Sequence, residues 1–283
     1  MTLTQFLIEE RRRFPHASGE FNSLILEVAV TCKAIARQVA CGNLAERSAM
    51  PSCPRGGKYV LVFEPLDGAD NLDLNVPVGS IFSVLRGGME QVAAGYAMYG
   101  PATLFVLTVG NGVNGFTLDG NLGEFMLTHP GMQVPPDTCE CAIDAGNSRF
   151  WEGPVKRYVD ECLAGRAGAR GKDFSLRWIA SLVAETHRIL LRGGVFLSPR
   201  DCQTGHLLQE ARPIGFLVEQ AGGRASTGRQ PLLAVPPAQQ QRVGLVFGSR
   251  HEVERIERYH GDPRPVELHN PLFNDHGLFR MPA

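Results

Sequence analysis

Residues 58–86 read KYVLVFEPLDGADNLDLNVPVGSIFSVLR. The stretch opens with an unbroken apolar run, 59–63, of the kind that forms a short strand covered on both faces. At Glu64 the run stops and oxygen-bearing side chains take over: Glu64, Asp67, Asp70, Asn71 and Asp73. Two carboxylates three residues apart leave the end of a rigid strand, and Pro65 restricts the backbone between them. Gly68 permits a sharp turn where a ligand can approach the main chain. Such a cluster suits a hard divalent cation of the Mg2+ type, which takes oxygen ligands. An acidic loop after a buried strand is the competing reading, and the pattern alone weighs the two evenly.

Working outward, 4–13 and 20–41 predict helices. In the second, Leu24, Val28, Cys32, Ile35 and Val39 recur at three- and four-residue steps, and Gly42-Asn43 is a plausible stop. Residues 44–57 read as irregular. Beyond the central stretch, strands are expected at 80–85, 91–98, 103–109, 115–118 and 124–127. Gly87-Gly88, Asn111-Gly112 and Asp119-Gly120 turn the chain between them. This half predicts a mainly antiparallel sheet. After Pro135-Pro136 the character changes. Helices are expected at 153–163, 175–191, 207–221 and 250–259, and strands at 195–197 and 243–247. Gly222-Gly223 reads as a helix C-cap, and Ser249 with Glu252 as a capping box. The division falls at 130–140: an N-terminal unit 1–135, a C-terminal α/β unit 136–260 and a surface tail 261–283.

The chain has 283 residues, long enough for one large or two smaller cores. A net charge of −1 speaks against a nucleic-acid binder. No stretch reaches the length of a membrane span, and the N-terminus lacks a signal-peptide apolar region. Seven cysteines at irregular spacing suit a reducing cytoplasm. The Cys139/Cys141 pair has no second pair to complete a zinc site, so free thiols are expected. His187 and Trp151 read as packed residues, and Ser18-Gly19-Glu20 as a helix N-cap.

The segment EPLDGADN at 64–71 resembles the Asp-Pro-Leu-Asp-Gly-Ser-Ser-Asn signature of the class 1 fructose-1,6-bisphosphatases. These belong to the Mg-dependent, lithium-sensitive sugar and inositol phosphatases. The likeness extends through GSIFSVLR, AAGYAMYGPATLFVLTVGNGVNGFTL, GEFMLTHPG, SLVAETHRILLRGGVFLSPRD and LLQEARPIGFLVEQAGGRASTGRQPLL, in the family's order. It implies an α/β chain of α+β type, layered α-β-α-β-α with two mixed or antiparallel sheets, the active site lying between its halves. It implies hydrolysis of the C1 phosphate of fructose 1,6-bisphosphate, of the gluconeogenic or Calvin-cycle type, with Mg2+ as cofactor. By resemblance Glu64, Asp67, Glu210 and the carbonyl of Leu66 are metal ligands. Asp67, Gly68, Ala69, Asp70 and Arg177 face the substrate, Arg177 across a subunit interface of a homo-oligomer. Taken alone, Glu210 reads as a solvated helix residue and Arg177 as a surface ion pair. The partners implied are a small sugar phosphate and further copies of the chain, with no nucleic acid or membrane. No catalytic base is assigned.

Five departures separate the chain from that pattern. The family's Glu-Glu block and upstream Asp have no counterpart, 41–57 standing in their place with Glu46 as the only acid. Glu64 replaces an Asp. Gly87-Gly88 shortens a connection. Asp144, Trp178, Ser198, Thr204 and His206 replace substrate-side residues of the family. Ala69 and Asp70 replace two serines. Removing cations and adding carboxylates disfavours an anionic bisphosphate. A second expectation is therefore an impaired member acting as a subunit or sugar-phosphate binder. A third is a related phosphatase with another sugar or inositol phosphate.

Overall fold

The computed structural model describes residues 1–13, 19–42, 58–88, 90–199, 206–236 and 242–262. Six strands form the first sheet as a meander: β1 (Tyr59–Asp67), β2 (Val78–Arg86), β3 (Glu90–Tyr99), β4 (Thr103–Thr108), β5 (Val113–Asp119) and β6 (Glu124–Met132). Every neighbouring pair in it is antiparallel. The second sheet has the order β10-β11-β9-β7-β8. Its strands are β7 (Glu140–Ile143), β8 (Ser175–Leu176), β9 (Val195–Ser198), β10 (Arg224–Ser226) and β11 (Leu245–Gly248). β7 runs parallel to β8 and β9, while β11 is antiparallel to β9 and β10.

Helices fill the space on either side of each sheet. α1 (Leu3–Arg13) and α2 (Gly19–Ala40) cover the outer face of the first sheet, where Phe21, Ile25, Val28, Cys32 and Ile35 meet Phe82, Phe105 and Phe116. α4 (Leu182–Arg192) and α5 (Arg212–Gln220) lie between the sheets. There Val183, Ile189, Ile214 and Leu217 pack against Ile81, Tyr96 and Val106 on one side and Phe196 and Phe247 on the other. α3 (Gly153–Leu163) and α6 (Arg250–Gly261) close the outer face of the second sheet through Val155, Tyr158, Val253 and Ile256. The layers run α-β-α-β-α. β2 is buried along nearly its whole length because helices cover both its faces, the condition its apolar sequence requires.

Several local expectations change. β1 continues past Phe63 to Asp67, with a bulge between Glu64 and Asp67 where Pro65 has no N–H to donate. The helix expected over 175–191 starts only at Leu182. Ser175 and Leu176 belong to the sheet instead, where Ser175 and Arg177 donate their amides to the carbonyls of Cys139 and Cys141, and 177–181 are irregular. β11 starts at Leu245 rather than Val243. β7, β8 and β10, two to four residues each, carry too little pattern to be expected. The Ser249/Glu252 capping box does not form: Ser249 Oγ accepts from Gly194 N, and Glu252 turns inward to Tyr158 and Arg170. Gly222, at φ 78°, does terminate α5, and Gly223 N closes onto Val218 O. His187 is packed, bonded through Nδ1 to Tyr96. Among the described residues Cys32, Cys41, Cys139, Cys141 and Cys162 are free thiols. Ser18, Glu46, Thr204 and the tail from residue 263 lie outside the described residues.

Candidate functional site

The last turn of β1 and the loop after it meet two elements of the second half. Glu64 pairs with Ile81 and Asp67 with Gly79, so both stay in register with β2 while Pro65 and Leu66 bulge. Ser80 Oγ donates to the bulged Pro65 carbonyl at 2.6 Å. Gly68 follows at φ 71°, and Ala69–Asn71 form a single 3-10 turn. The first N–H groups of such a turn have no partner within it. Ala69 and Asp70 are exposed, while Asn71 is buried.

Asp67 reaches across to the start of α4. Its Oδ2 accepts from Ser181 Oγ at 2.7 Å and from Val183 N at 2.9 Å. Asn71 Nδ2 donates to the carbonyls of Ile179 (3.1 Å) and Ala180 (3.4 Å). Ser181 was not among the residues singled out from sequence. A serine within a stretch read as helical carries no signal of its own.

Glu210 arrives on a π-helical turn, Leu207–Ala211, packed against β1 and β2. The turn forms where Ala211 N reaches back five residues to His206 O, immediately before the Arg212-Pro213 start of α5. Glu210 Oε2 accepts from His206 N at 2.9 Å.

The electrostatics tie the three carboxylates together. Burial raises the pKa of Glu64, Asp67 and Glu210. For Asp67 the amide of Val183 and the hydroxyl of Ser181 oppose the rise. For Glu210 the charges of Asp67 and Glu64 add to it, and for Glu64 that of Asp67 does. Mutually repelling, partly buried carboxylates are the environment a divalent cation relieves. Among the described residues, no three His, Cys, Asp or Glu side chains gather closely enough to form a cage. The donor chemistry therefore fits a hard cation held by one or two carboxylates at a time and otherwise by water, as Mg2+ commonly is.

Of the remaining candidates, Arg177, Trp178 and Asp144 make their contacts elsewhere. Arg177 Nε bonds Glu140 Oε1 at 2.9 Å on the exposed edge of the second sheet. Trp178 stacks on Phe196, the ring centroids 5.9 Å apart. Asp144 caps the turn that follows β7 by accepting from Gly146 N and Asn147 Nδ2. His206 lies beside Glu64 and Glu210, whose charge states it influences.

The family described as Fructose-1-6-bisphosphatase, N-terminal domain, matches residues 45–130, and its C-terminal domain matches 134–261. The chain is 54% identical to the class 1 fructose-1,6-bisphosphatase of Hydrogenophilus thermoluteolus, covering 99% of this chain and 97% of that protein. It is 49% identical to a class 1 enzyme of Methylibium petroleiphilum, covering 98% and 97%. The apo crystal structure of Leishmania major fructose-1,6-bisphosphatase superposes with a TM-score of 0.83 at 33% identity, covering 93% of this chain and 99% of that one. The Hydrogenophilus match runs over 351 positions against the 283 residues here, so at least 68 of its positions face no residue of this chain.

Proposed function

The chain belongs to the class 1 fructose-1,6-bisphosphatase family, and from that premise we propose that it hydrolyses fructose 1,6-bisphosphate at C1 with the Glu64/Asp67/Glu210 cluster as its metal centre. The observation that carries the reading is the packing of the π-helical turn that bears Glu210 against β1 and β2, with Glu64 and Asp67 on the bulged end of β1, so that three partly buried carboxylates repel one another where the two halves meet. We assign Mg2+ to this cluster, with Glu64, Asp67, Glu210 and the carbonyl of Leu66 as the ligands and each ion held by one or two of the carboxylates and otherwise by water. When bound, such an ion neutralises phosphate charge and lowers the pKa of a coordinated water. The chain's own residues do the placing. Asp67 is held in one orientation by Ser181 and Val183. The amides of Gly68, Ala69 and Asp70, at the opening of the 3-10 turn, suit the phosphate oxygens.

Phosphate release from fructose 1,6-bisphosphate with Mg2+ tests this. Wild type should turn over, and Glu210→Gln should lose about a hundredfold or more in kcat/KM, the scale of displaced catalytic groups. Equal rates in the two proteins would sink the assignment of Glu210.

A second reading is favoured by the relative's 68 or more unmatched positions and the absence of a three-residue cage among the described residues. It is an impaired member that binds sugar phosphate or serves as a subunit. Calorimetry that detects Mg2+ and substrate binding without turnover would select it. We also propose a cytoplasmic homo-oligomer divided at 135/136, with Arg177 facing a neighbouring subunit's substrate. The exposure of Leu176, Arg177 and Trp178 along one sheet edge supports that contact. Light scattering at micromolar concentration tests the assembly. No described helix is long and apolar enough to cross a membrane.

A further inference from the structure

We propose that Ser181 is a positioning residue for Asp67, and that with Ala180 and Asn71 it forms a latch setting the metal-binding strength of the site. The proposal rests on the reading of Asp67 as a metal ligand. Asp67 belongs to the first sheet, yet the groups that orient its carboxylate come from the opening of α4, more than a hundred residues later: the Ser181 hydroxyl and the Val183 amide, with the Leu182 amide beside them. The Ser181 and Val183 bonds converge on one oxygen, Oδ2. A carboxylate fixed in this way presents its second oxygen in a single direction, which is how outer partners tune a metal ligand.

Ser181 is 3% exposed, and its hydroxyl is used twice. Its proton goes to Asp67, and its lone pair accepts from Ala184 N at 3.2 Å, capping α4. One side chain therefore couples the helix start to the carboxylate. The backbone that brings it there is unusual. Ala180 sits at φ 57°, a left-handed conformation that L-residues other than Asn and Asp seldom adopt. Asn71 Nδ2 donates to the carbonyls of Ile179 and Ala180, one on either side of the Ala180 Cα, joining that turn to the loop that carries Asp67. Gly68 completes the fit. A methyl group there would stand 3.0 Å from Ser181 Cβ and 3.4 Å from its Oγ, and would displace the serine. Asp67, Gly68 and Asn71 from one half thus interlock with Ala180, Ser181 and Val183 from the other.

The experiment titrates Mn2+ against the full chain, reading free Mn2+ by electron paramagnetic resonance, alongside phosphate release from fructose 1,6-bisphosphate. Ser181→Ala should raise the Mn2+ dissociation constant about tenfold or more, the usual range for outer-partner loss being 10–100-fold. Ser181→Thr keeps the hydroxyl and should restore binding to within about threefold of wild type, taking half a decade as recovery. Asn71→Ala touches neither the α4 cap nor Asp67 and should also weaken Mn2+. If Ser181→Ala does not fold, the Thr and Asn71 variants decide. Wild-type affinity in Ser181→Ala overturns the latch. So does a Thr variant that folds but binds as poorly as the Ala variant, or wild type that binds no Mn2+. Wild type that binds Mn2+ but releases no phosphate overturns the enzymatic reading instead, and the variant series still judges the latch.

Discussion

Ala180 is the residue at which local strain and the proposed site coincide. A left-handed alanine costs about 1–2 kcal/mol, and replacing it by glycine adds about 0.5–1 kcal/mol of unfolded-state entropy to lose. Ala180→Gly should therefore raise stability by about 0.5–1 kcal/mol, seen as a higher urea midpoint at unchanged slope. A lower midpoint would mean that the φ of 57° is not a strained state there. At this scale the carboxylates were legible: Glu64 and Asp67 stood out by their spacing after an apolar run, and Glu210 by resemblance alone. Ser181 was not. Its role depends on where the chain stops being a strand and becomes a helix, and Leu176, Ile179 and Val183 continue a helical spacing straight through that point.

The elements show why a misplaced helix start mattered. With α4 beginning at Leu182, its first free amides and its cap meet the end of β1. Helix over 175–181 would have carried Ser181 away from the sheet. The contact is close because β2 offers no side chain at Gly79. An added methyl there would lie 2.5 Å from Ala97 O and 2.6 Å from Val183 Cγ1. Gly79→Ala should then cost about 1–3 kcal/mol through overpacking. It should also weaken Mn2+ binding, because the shift falls on the residue whose amide holds Asp67. Chemical denaturation and the same Mn2+ titration check both effects; a variant as stable as wild type would show that α4 can move without cost. The long strands β2 to β6 were readable as apolar stretches separated by glycine-containing turns. In the second sheet β9 and β11 were readable but β7, β8 and β10 were not; β8 is only two residues and gains its hydrogen bonds from β7 rather than from any pattern of its own.

At the scale of the molecule, the two sheets are joined through the layer containing α4 and α5, and its polar contacts govern the response to acid. His187 on α4 is 9% exposed, with Nδ1 bonded to the Tyr96 hydroxyl of β3 at 2.9 Å and the ring of His129 from β6 6.3 Å away. Burial, with the nearby His129 adding to it, pushes its pKa down to about 4 from 6.5. The layered order was legible from resemblance, but this coupling was not, because it needs β3, β6 and α4 in one place. The sign follows from proton binding. Above pH 6.5 both folded and unfolded states hold the ring neutral, and it contributes no pH dependence. As pH falls below that value, the unfolded chain takes up a proton that the folded one refuses, and stability drops. The loss levels off near pH 4, when the folded state also protonates, and amounts to about 3 kcal/mol in total. His187→Gln leaves Tyr96 an acceptor and removes the titration. It should start less stable at pH 7, yet the gap to wild type should narrow by about 2–3 kcal/mol between pH 7 and pH 4.5. Thermal or urea unfolding of both proteins across that range reads the difference directly, and stability curves that run parallel would place the acid sensitivity elsewhere.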